Sequence, residues 1–364
     1  MSKTKVLDSF IARQFQQTGL DTLYLYYRKK KWREAKACIR TFLGKGVPKS
    51  VARWHLRRMR HAFIAYGWGF DEYFMFNFNR LSCAGRKEFV PNMQKDNFCD
   101  KVNSESVVDL FTDKWLAYNR FAKYYKRDAC MLQSWERDHE EAERFIEKHD
   151  AMIIKPTDWS FGDGIKIIHN ATVDDIKALL QKYSVGFVME ELIHQGDEMA
   201  ALHPQSVNTI RLLTVRSLKD GQIHVMPSIL RVGTGESIVD NTSQGGLAIG
   251  IDIETGFLKK YGFYKPAYGR EVEVDGKSTL IFKEEEHPDS HIRLADFQIP
   301  YFKEAVQQAK YYHSMLPSLH SVGWDIAIGE DGPIFVEGND NWEITGPQTC
   351  NGGLMREFKE YFYK

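Results

Sequence analysis

The chain has 364 residues, 43% hydrophobic and 27% charged, with a formal net charge of +0. This composition describes a globular protein with a large core and room for two or three domains, and it excludes a disordered or collagen-like chain. A polar N-terminus and the lack of an 18-residue apolar run predict neither a secretory leader nor a transmembrane helix, and five unpatterned cysteines, Cys38, Cys83, Cys99, Cys130 and Cys350, predict a reducing cytoplasm without a disulfide framework.

Charge is unevenly spread along the chain. Residues 1–60 hold 16 Lys+Arg and 3 Asp+Glu, which leaves 33 basic and 46 acidic residues for the remainder. The densest basic stretch is Arg28-Lys29-Lys30-Lys31, beside Tyr24, Tyr26 and Tyr27, followed by Arg53 to Arg60 around Trp54. Such an arm suits an anionic membrane surface or nucleic acid; a solvated helical face, or one docked on the acidic body, accounts for it equally.

Residues 1–100 read as mainly helical, with Trp54, Met59, Phe63 and Tyr66 spaced as the apolar stripe of an amphipathic helix. The aromatic stretch Gly67 to Leu81 (Trp68, Phe70, Tyr73, Phe74, Phe76, Phe78) is expected to be buried. Beyond residue 101 the pattern changes. Thr112 is the expected N-cap of a helix ending at Tyr125, followed by strand 129–133, helix 136–148 and strand 151–155, which Pro156 should stop. A glycine-rich loop, 158–164, leads to strand 165–168, helix 173–182 and strand 186–190. Long strands then follow at 210–217, 224–232 and 248–253, with a hairpin turn at Asp275-Gly276 and a helix at 301–316. Runs of strands with segregated helices predict an α+β fold and not a doubly wound sheet.

The most informative stretch is Gly323 to Asn339. It reads as strand, turn at Glu330-Asp331-Gly332, strand, with Asp325 opening the first strand and Glu337 and Asn339 closing the second on one face. A hairpin sets Asp325 opposite Glu337. Three oxygen donors without His or Cys suit a hard cation such as Mg²⁺; the plain alternative is a hairpin with acidic ends. Lys155 stands at the root of the glycine loop, whose backbone donors could surround phosphate or form an ordinary turn. The strand end at Glu190, Glu191 and Leu192 offers Glu191 and Leu192 backbone groups to a purine edge, and Glu198 lies within reach of ribose hydroxyls; an edge strand with exposed acids is the alternative. Arg211 and Arg231, on successive strands, suit a phosphate or acyl-phosphate oxygen, or a structural ion pair.

In order, Asp113-Lys114, Lys155-Pro156, the glycine loop, Glu190-Glu191, His203-Pro204 with Asn208-Thr209-Ile210-Arg211, Asp240-Asn241 with Gly245-Gly246, and Gly323-Trp324-Asp325 with Glu337-Gly338-Asn339 resemble the ATP-grasp superfamily across residues 112–364, and most closely its sugar-transfer associated branch. The resemblance implies an ATP-grasp fold, two α+β lobes clamping ATP, after a helical, basic region 1–111. The small lobe would be 112–192 and the large lobe 193–364.

Carried onto this chain, the resemblance implies that Lys114 and Lys155 hold the α- and β-phosphates and that residues 160–164, with Ser160, Gly162 and Gly164, form a lid. It places Glu190, Glu191 and Leu192 at adenine and Glu198 at ribose. It assigns Asp325, Glu337 and Asn339 to two Mg²⁺ ions, and Arg211 and Arg231 to the transferring phosphoryl group.

The implied activity is an ATP- and Mg²⁺-dependent carboxylate–amine ligase acting through an acyl phosphate, in surface polysaccharide or amino-acid conjugate biosynthesis. Its substrates would be a small carboxylate, such as a carboxylated sugar, and an amine. Nucleic acid is not an expected partner. The expected location is the cytoplasm, with the arm at the inner membrane face. Two alternatives are an ATP-grasp kinase acting on a small molecule or sugar, and a non-catalytic nucleotide-binding scaffold. Many relatives open with a Rossmann-like domain that helps bind substrate; the helical start of this chain departs from that pattern.

Overall fold

The computed structural model describes residues 21–103, 110–157, 165–183, 186–274 and 277–363, with side chains outside 21–31, 273–274 and 277–280. The glycine loop with Ser160, Gly162 and Gly164, the Asp275-Gly276 turn and the Arg28 to Lys31 side chains therefore lie outside the described residues. The chain divides into two compact units, Met1–Leu81 and Ser82–Lys364.

The first unit is helical: α1 (Asp21–Leu43), α2 (Lys49–Tyr66) and α3 (Phe70–Met75). Gly67, at φ 75°, ends α2: its N–H donates to the Phe63 carbonyl and that of Trp68 to the Ala62 carbonyl, the left-handed stop that favours glycine. The expected buried stripe of α2 is corrected. His55, Met59 and Ala62 are buried, while Trp54 and Tyr66 are 47% and 43% exposed. The reason is helical phase: 55, 59 and 62 follow the i, i+4, i+7 rule, and Trp54 falls off that line among the arginines, with the Arg58 guanidinium over its ring at 4.7 Å. Trp68, Tyr73, Phe74, Phe76 and Phe78 are buried, as their density predicts. Phe42 stacks on Phe74 at 4.8 Å, and Trp68 meets Phe78 edge-on at 4.8 Å. Among the described residues no helix is long and apolar enough to cross a membrane, and all five cysteines are free.

The second unit holds α4 (Asn92–Val102), α5 (Lys114–Tyr125) and two main sheets. The smaller sheet comprises β1 (Ala129–Leu132), β2 (Ala151–Pro156), β3 (Lys166–His169) and β4 (Phe187–Glu191), antiparallel in the order β1-β4-β2-β3. Helices α6 (Trp135–Lys148) and α7 (Val173–Lys182) supply Ala142, Phe145 and Ile176 to its core, against Leu132, Met152, Ile154 and Met189. Helix α7 starts where the sequence says, because Thr172 and Asp175 form a capping box.

The expected roles of Thr112 and Pro156 are corrected. Asp113, not Thr112, caps α5, its carboxylate accepting from Trp115 and Leu116 N–H at 2.8 and 3.1 Å. Pro156 is the last residue of β2, not the residue after it: β3 pairs no further than Ile154, so beyond it β2 has β4 as its neighbour.

The larger sheet has seven strands in the order β11-β8-β7-β6-β5-β12-β13: β5 (Thr209–Arg216), β6 (Ile223–Val232), β7 (Leu247–Ile251), β8 (Leu258–Phe263), β11 (Lys283–Glu284), β12 (Ser321–Gly329) and β13 (Gly332–Asn339). Strands β9 (Arg270–Val274) and β10 (Lys277–Ile281) pair as a separate hairpin. One face of the large sheet packs Leu212, Leu230, Trp324, Ile326 and Phe335 against α5 and α8 (Phe302–Ser314). Part of the other face lies under α9 (Thr345–Asn351) and α10 (Met355–Phe362), with Leu213, Val215, Met226 and Phe358 in a second core. Every residue of β12 is buried.

Strand β12 begins four residues earlier than expected, so Asp325 sits at its centre instead of opening it. Its partnership with Glu337 holds in the observed register. A bulge follows: Ile326 pairs with Phe335, leaving Val336 as an extra residue. Phe335 is fully buried and stacks on Phe121 at 4.8 Å. Phe335→Ala should cost about 3–5 kcal/mol of stability through the cavity it leaves. A urea titration that showed no shift in midpoint would contradict this packing.

Candidate active site

Five strand residues converge on the face of the large sheet opposite α8. Thr209 and Arg211 on β5, Arg231 on β6, Asp325 on β12 and Glu337 on β13 are brought together by register: Asp325 pairs with Arg211 and with Glu337, and Thr209 with Arg231. Asp325 is 1% exposed. A buried carboxylate must be neutralised, and two arginines do this. Arg211 donates through Nε to Oδ1 and through Nη2 to Oδ2 at 2.8 Å, while Arg231 Nη2 donates to Oδ2 at 2.7 Å. Burial would raise the Asp325 pKa, but the two guanidinium groups outweigh it and hold the carboxyl at about 2. Arg231 also donates to Thr209 Oγ1 at 2.7 Å and pairs with Asp240 at 3.5 Å. Asp240 in turn accepts from Thr209 N–H at 3.0 Å and from the Thr209 hydroxyl. Burial pushes the Asp240 carboxyl up, with Arg231 opposing; for Arg231 desolvation is outweighed by Asp240, Asp325 and Glu337, which push its pKa up.

Glu337 remains open to solvent at the rim. Its pKa is raised, by desolvation first and by the adjacent Asp325 carboxylate second. Asn339 Nδ2 donates to Glu337 Oε1 at 3.1 Å, which turns the Asn339 oxygen away from that bond. Two neighbouring carboxylates that repel, with an amide oxygen beside them, are an oxygen-only donor set. That set fits a hard divalent cation, whose charge would relieve the repulsion.

A second cluster lies on the small sheet. Glu190, on β4, accepts on one oxygen from three donors: Arg127 Nε at 2.9 Å, Arg127 Nη2 at 2.7 Å and Lys155 Nζ at 2.7 Å. Desolvation opposes its ionised form, but Arg127 and Lys155 hold the carboxyl at about 2. The Glu190 side chain is thus engaged by cations. Beside it, Glu191 accepts from Asp128 N–H through its side chain at 3.0 Å and donates its own N–H to the Asp128 carbonyl, also at 3.0 Å. Leu192 follows, half-buried. Lys114, the first residue of α5, donates to the carbonyls of Pro156 at 2.9 Å and Thr157 at 3.5 Å, which places it beside Lys155 in the chain leading to the glycine loop. Glu198 is exposed on the short helix Asp197–Ala200. The structure therefore groups Arg211, Arg231, Asp325, Glu337 and Asn339 on one sheet, and Lys114, Lys155, Glu190 and Glu191 on or against the other.

Residues 93–361 match a protein family described as sugar-transfer associated ATP-grasp. The chain belongs to this family. Its fold is the α+β ATP-grasp fold, preceded by a mainly helical N-terminal region. Similar solved structures include an N5-carboxyaminoimidazole ribonucleotide synthetase in complex with ADP, 11% identical, TM-score 0.44, covering 76% of this chain and 58% of that one. The D-alanyl-alanine synthetase A from Vibrio cholerae O1 biovar eltor str. N16961 is 10% identical, TM-score 0.39, covering 68% of this chain and 60% of that one. The ATP-grasp ligase PsnB, complexed with a phosphomimetic variant of its minimal precursor, Mg and ADP, is 14% identical, TM-score 0.39, covering 70% and 60%. The chain thus spans less than two thirds of the length of these structures. No curated protein matches the sequence.

Three members of these two side-chain clusters were not singled out from sequence. Asp240 and Thr209 stand within motifs that carry the resemblance, but their hydrogen bonds across 31 residues give no local signal. Arg127 follows a helix end without any motif, and its partners are 63 and 208 residues away.

The depressed pKa of Glu190 sets a direction for pH dependence. A carboxyl held at about 2 in the folded protein and near 4.3 when unfolded contributes stability that is present above pH ~4.3 and is lost as pH falls toward 2, on the order of 3 kcal/mol in all. Glu190→Gln should therefore be less stable than wild type at pH 7, with the gap closing as pH falls through 4 toward 2. Parallel denaturation curves with a pH-independent gap would contradict the ionised assignment.

Proposed function

We propose that this ATP-grasp protein is an ATP- and Mg²⁺-dependent ligase that joins a small carboxylate to an amine. The observation that carries this reading is the convergence of Arg211 and Arg231 on Asp325, with Glu337 and Asn339 alongside. Lobes 112–192 and 193–364 would hold ATP between them. Lys114 and Lys155 would hold phosphate oxygens, the Glu191 carbonyl and the Leu192 peptide would meet the adenine edge, and Glu198 the ribose. Asp325, Glu337 and Asn339 would hold Mg²⁺, which when bound neutralises triphosphate charge.

In the proposed reaction a carboxylate oxygen of the substrate attacks the γ-phosphorus, and the bond to the bridging oxygen breaks, releasing ADP. The acyl phosphate is then attacked at its carbonyl carbon by the amine, the C–O bond to phosphate breaks, and the amine loses its proton to give an amide. Charge develops on phosphoryl oxygens in the first step and on the carbonyl oxygen in the second. Two separate guanidinium groups on adjacent strands can meet both. A carboxylated sugar or an amino acid suits the family's description, and surface polysaccharide assembly is the setting we propose.

The basic face of α2 supports a peripheral location. Lys49, Arg53, Arg57 and Arg60 are exposed together with Trp54 and Ile64, a mixture suited to anionic lipid. Deleting residues 1–66 should abolish salt-sensitive sedimentation with anionic vesicles; unchanged sedimentation would leave the face a plain solvated surface.

Asp325→Asn and Glu337→Gln should each lower turnover by about a thousandfold or more while the fold survives, because phosphoryl transfer depends on charge placed around the phosphates. Wild-type-like turnover in either variant would remove the metal assignment. With candidate uronic or amino acids, hydroxylamine should trap the acyl phosphate as a hydroxamate, and phosphate release should depend on amine. A stable phosphorylated alcohol formed without phosphate release would assign a kinase instead.

A further inference from the structure

Glu190 carries more positive charge than it needs. Its carboxylate is one negative charge; Arg127 and Lys155 are two positive ones on the same oxygen. The two cations differ in what else they do and in what can reach them. The Arg127 side chain is 2% exposed. Nε and Nη2 go to Glu190, while Nη1 donates to the carbonyls of Phe335 at 2.7 Å and Tyr125 at 3.1 Å. Four of its five N–H donors are committed to protein and the side chain is sealed from solvent, so Arg127 is not open to a ligand. The Lys155 side chain is 14% exposed and is the cation of the triad that solvent reaches.

We infer that Arg127 is a positioning residue: it holds the Glu190 charge so that Lys155 can leave Glu190 for a polyanionic ligand without stranding a buried carboxylate. This deepens the reading of Lys155 as a phosphate ligand and rests on it. The physical argument is that removing one partner of a buried ion pair is costly because the other stays charged and unsolvated. With Arg127 in place, the departure of Lys155 leaves Glu190 still held by two N–H donors. Without it, Lys155 becomes the sole counter-ion among these three residues and binding phosphate must break that pair. Glu190, in this assignment, is a store for the lysine and not a group that recognises the base.

The test is a double-mutant cycle read by Mg-ATP binding, measured by calorimetry, together with mass-spectrometric quantification of Lys155 acetylation in protein without nucleotide. Arg127→Met should weaken Mg-ATP roughly ten- to a hundredfold, with Lys155 labelled more slowly than in wild type. Adding Glu190→Gln to Arg127→Met removes the carboxylate that traps the lysine. The double variant should bind within threefold of Glu190→Gln by itself and recover Lys155 labelling. Arg127→Lys keeps the charge but cannot span both Glu190 and the Phe335 carbonyl; it should keep Mg-ATP affinity within threefold of wild type.

Equal losses in Arg127→Met and the double variant, or a tenfold loss in Arg127→Lys, would make Arg127 a strut for the fold and overturn the inference. If Arg127→Met does not fold, Arg127→Lys decides. If wild-type protein binds no Mg-ATP, the proposed function fails, and the labelling contrast still decides whether Arg127 keeps Lys155 free.

Discussion

Two carboxylates taken out of water, Asp325 in the large sheet and Glu190 in the small one, govern the layout of this protein. Each is bound by two cationic side chains, and each is held far below the usual carboxylate range by them. Such pairs contribute little net stability against an apolar replacement of the same volume, because both partners lose hydration. Their placement at the centre of β12 and near the end of β4 is what the reaction we propose would use. In that proposal an anionic substrate entering between cations and carboxylates would exchange one set of partners for another, without first having to dry out a wet site.

The arrangement also explains how a sheet can serve two masters. One face of β5, β6 and β12 is committed to packing: Leu212, Leu230, Trp324 and Ile326 meet the helices. Alternation then sends Arg211, Arg231 and Asp325 to the opposite face. Trp324 makes the point most directly. Fully buried and bonded through its indole N–H to Thr214 at 2.8 Å, it fixes the rotation of β12 and therefore the direction in which its neighbour Asp325 points.

Much of this could be read from the sequence. The Asp325–Glu337 hairpin, the strand pair bearing Arg211 and Arg231, and the Lys155 strand were legible because each rests on local alternation or on a turn. The α7 boundaries were legible because a capping box is written in four consecutive residues. What was not legible depends on distance. Arg127 acquires meaning when β4 and β13 are brought to it, and Asp240 when a loop returns it to Thr209. Trp54 misled because an aromatic residue near the right spacing looks like core, whereas the smaller His55, Met59 and Ala62 hold the correct phase.

The bulge at Val336 has an evolutionary side. In a regular strand, residues 335 and 337 point the same way, so a residue chosen for the core would dictate the character of one chosen for the site. The extra residue breaks that linkage: Phe335 enters the core, Glu337 faces Asp325, and the Phe335 carbonyl, beside the interrupted ladder, is bonded by Arg127. Loss of Val336 would still leave Ile326 opposite Phe335 and Asp325 opposite Glu337. The same one-residue loss from the unbroken stretch of β12 between Ser321 and Asp325 would swap inside for outside over that stretch. The two strands of one hairpin therefore differ in how freely a lineage can lengthen or shorten them, and the more forgiving of the two is the one that carries two of the three candidate metal ligands.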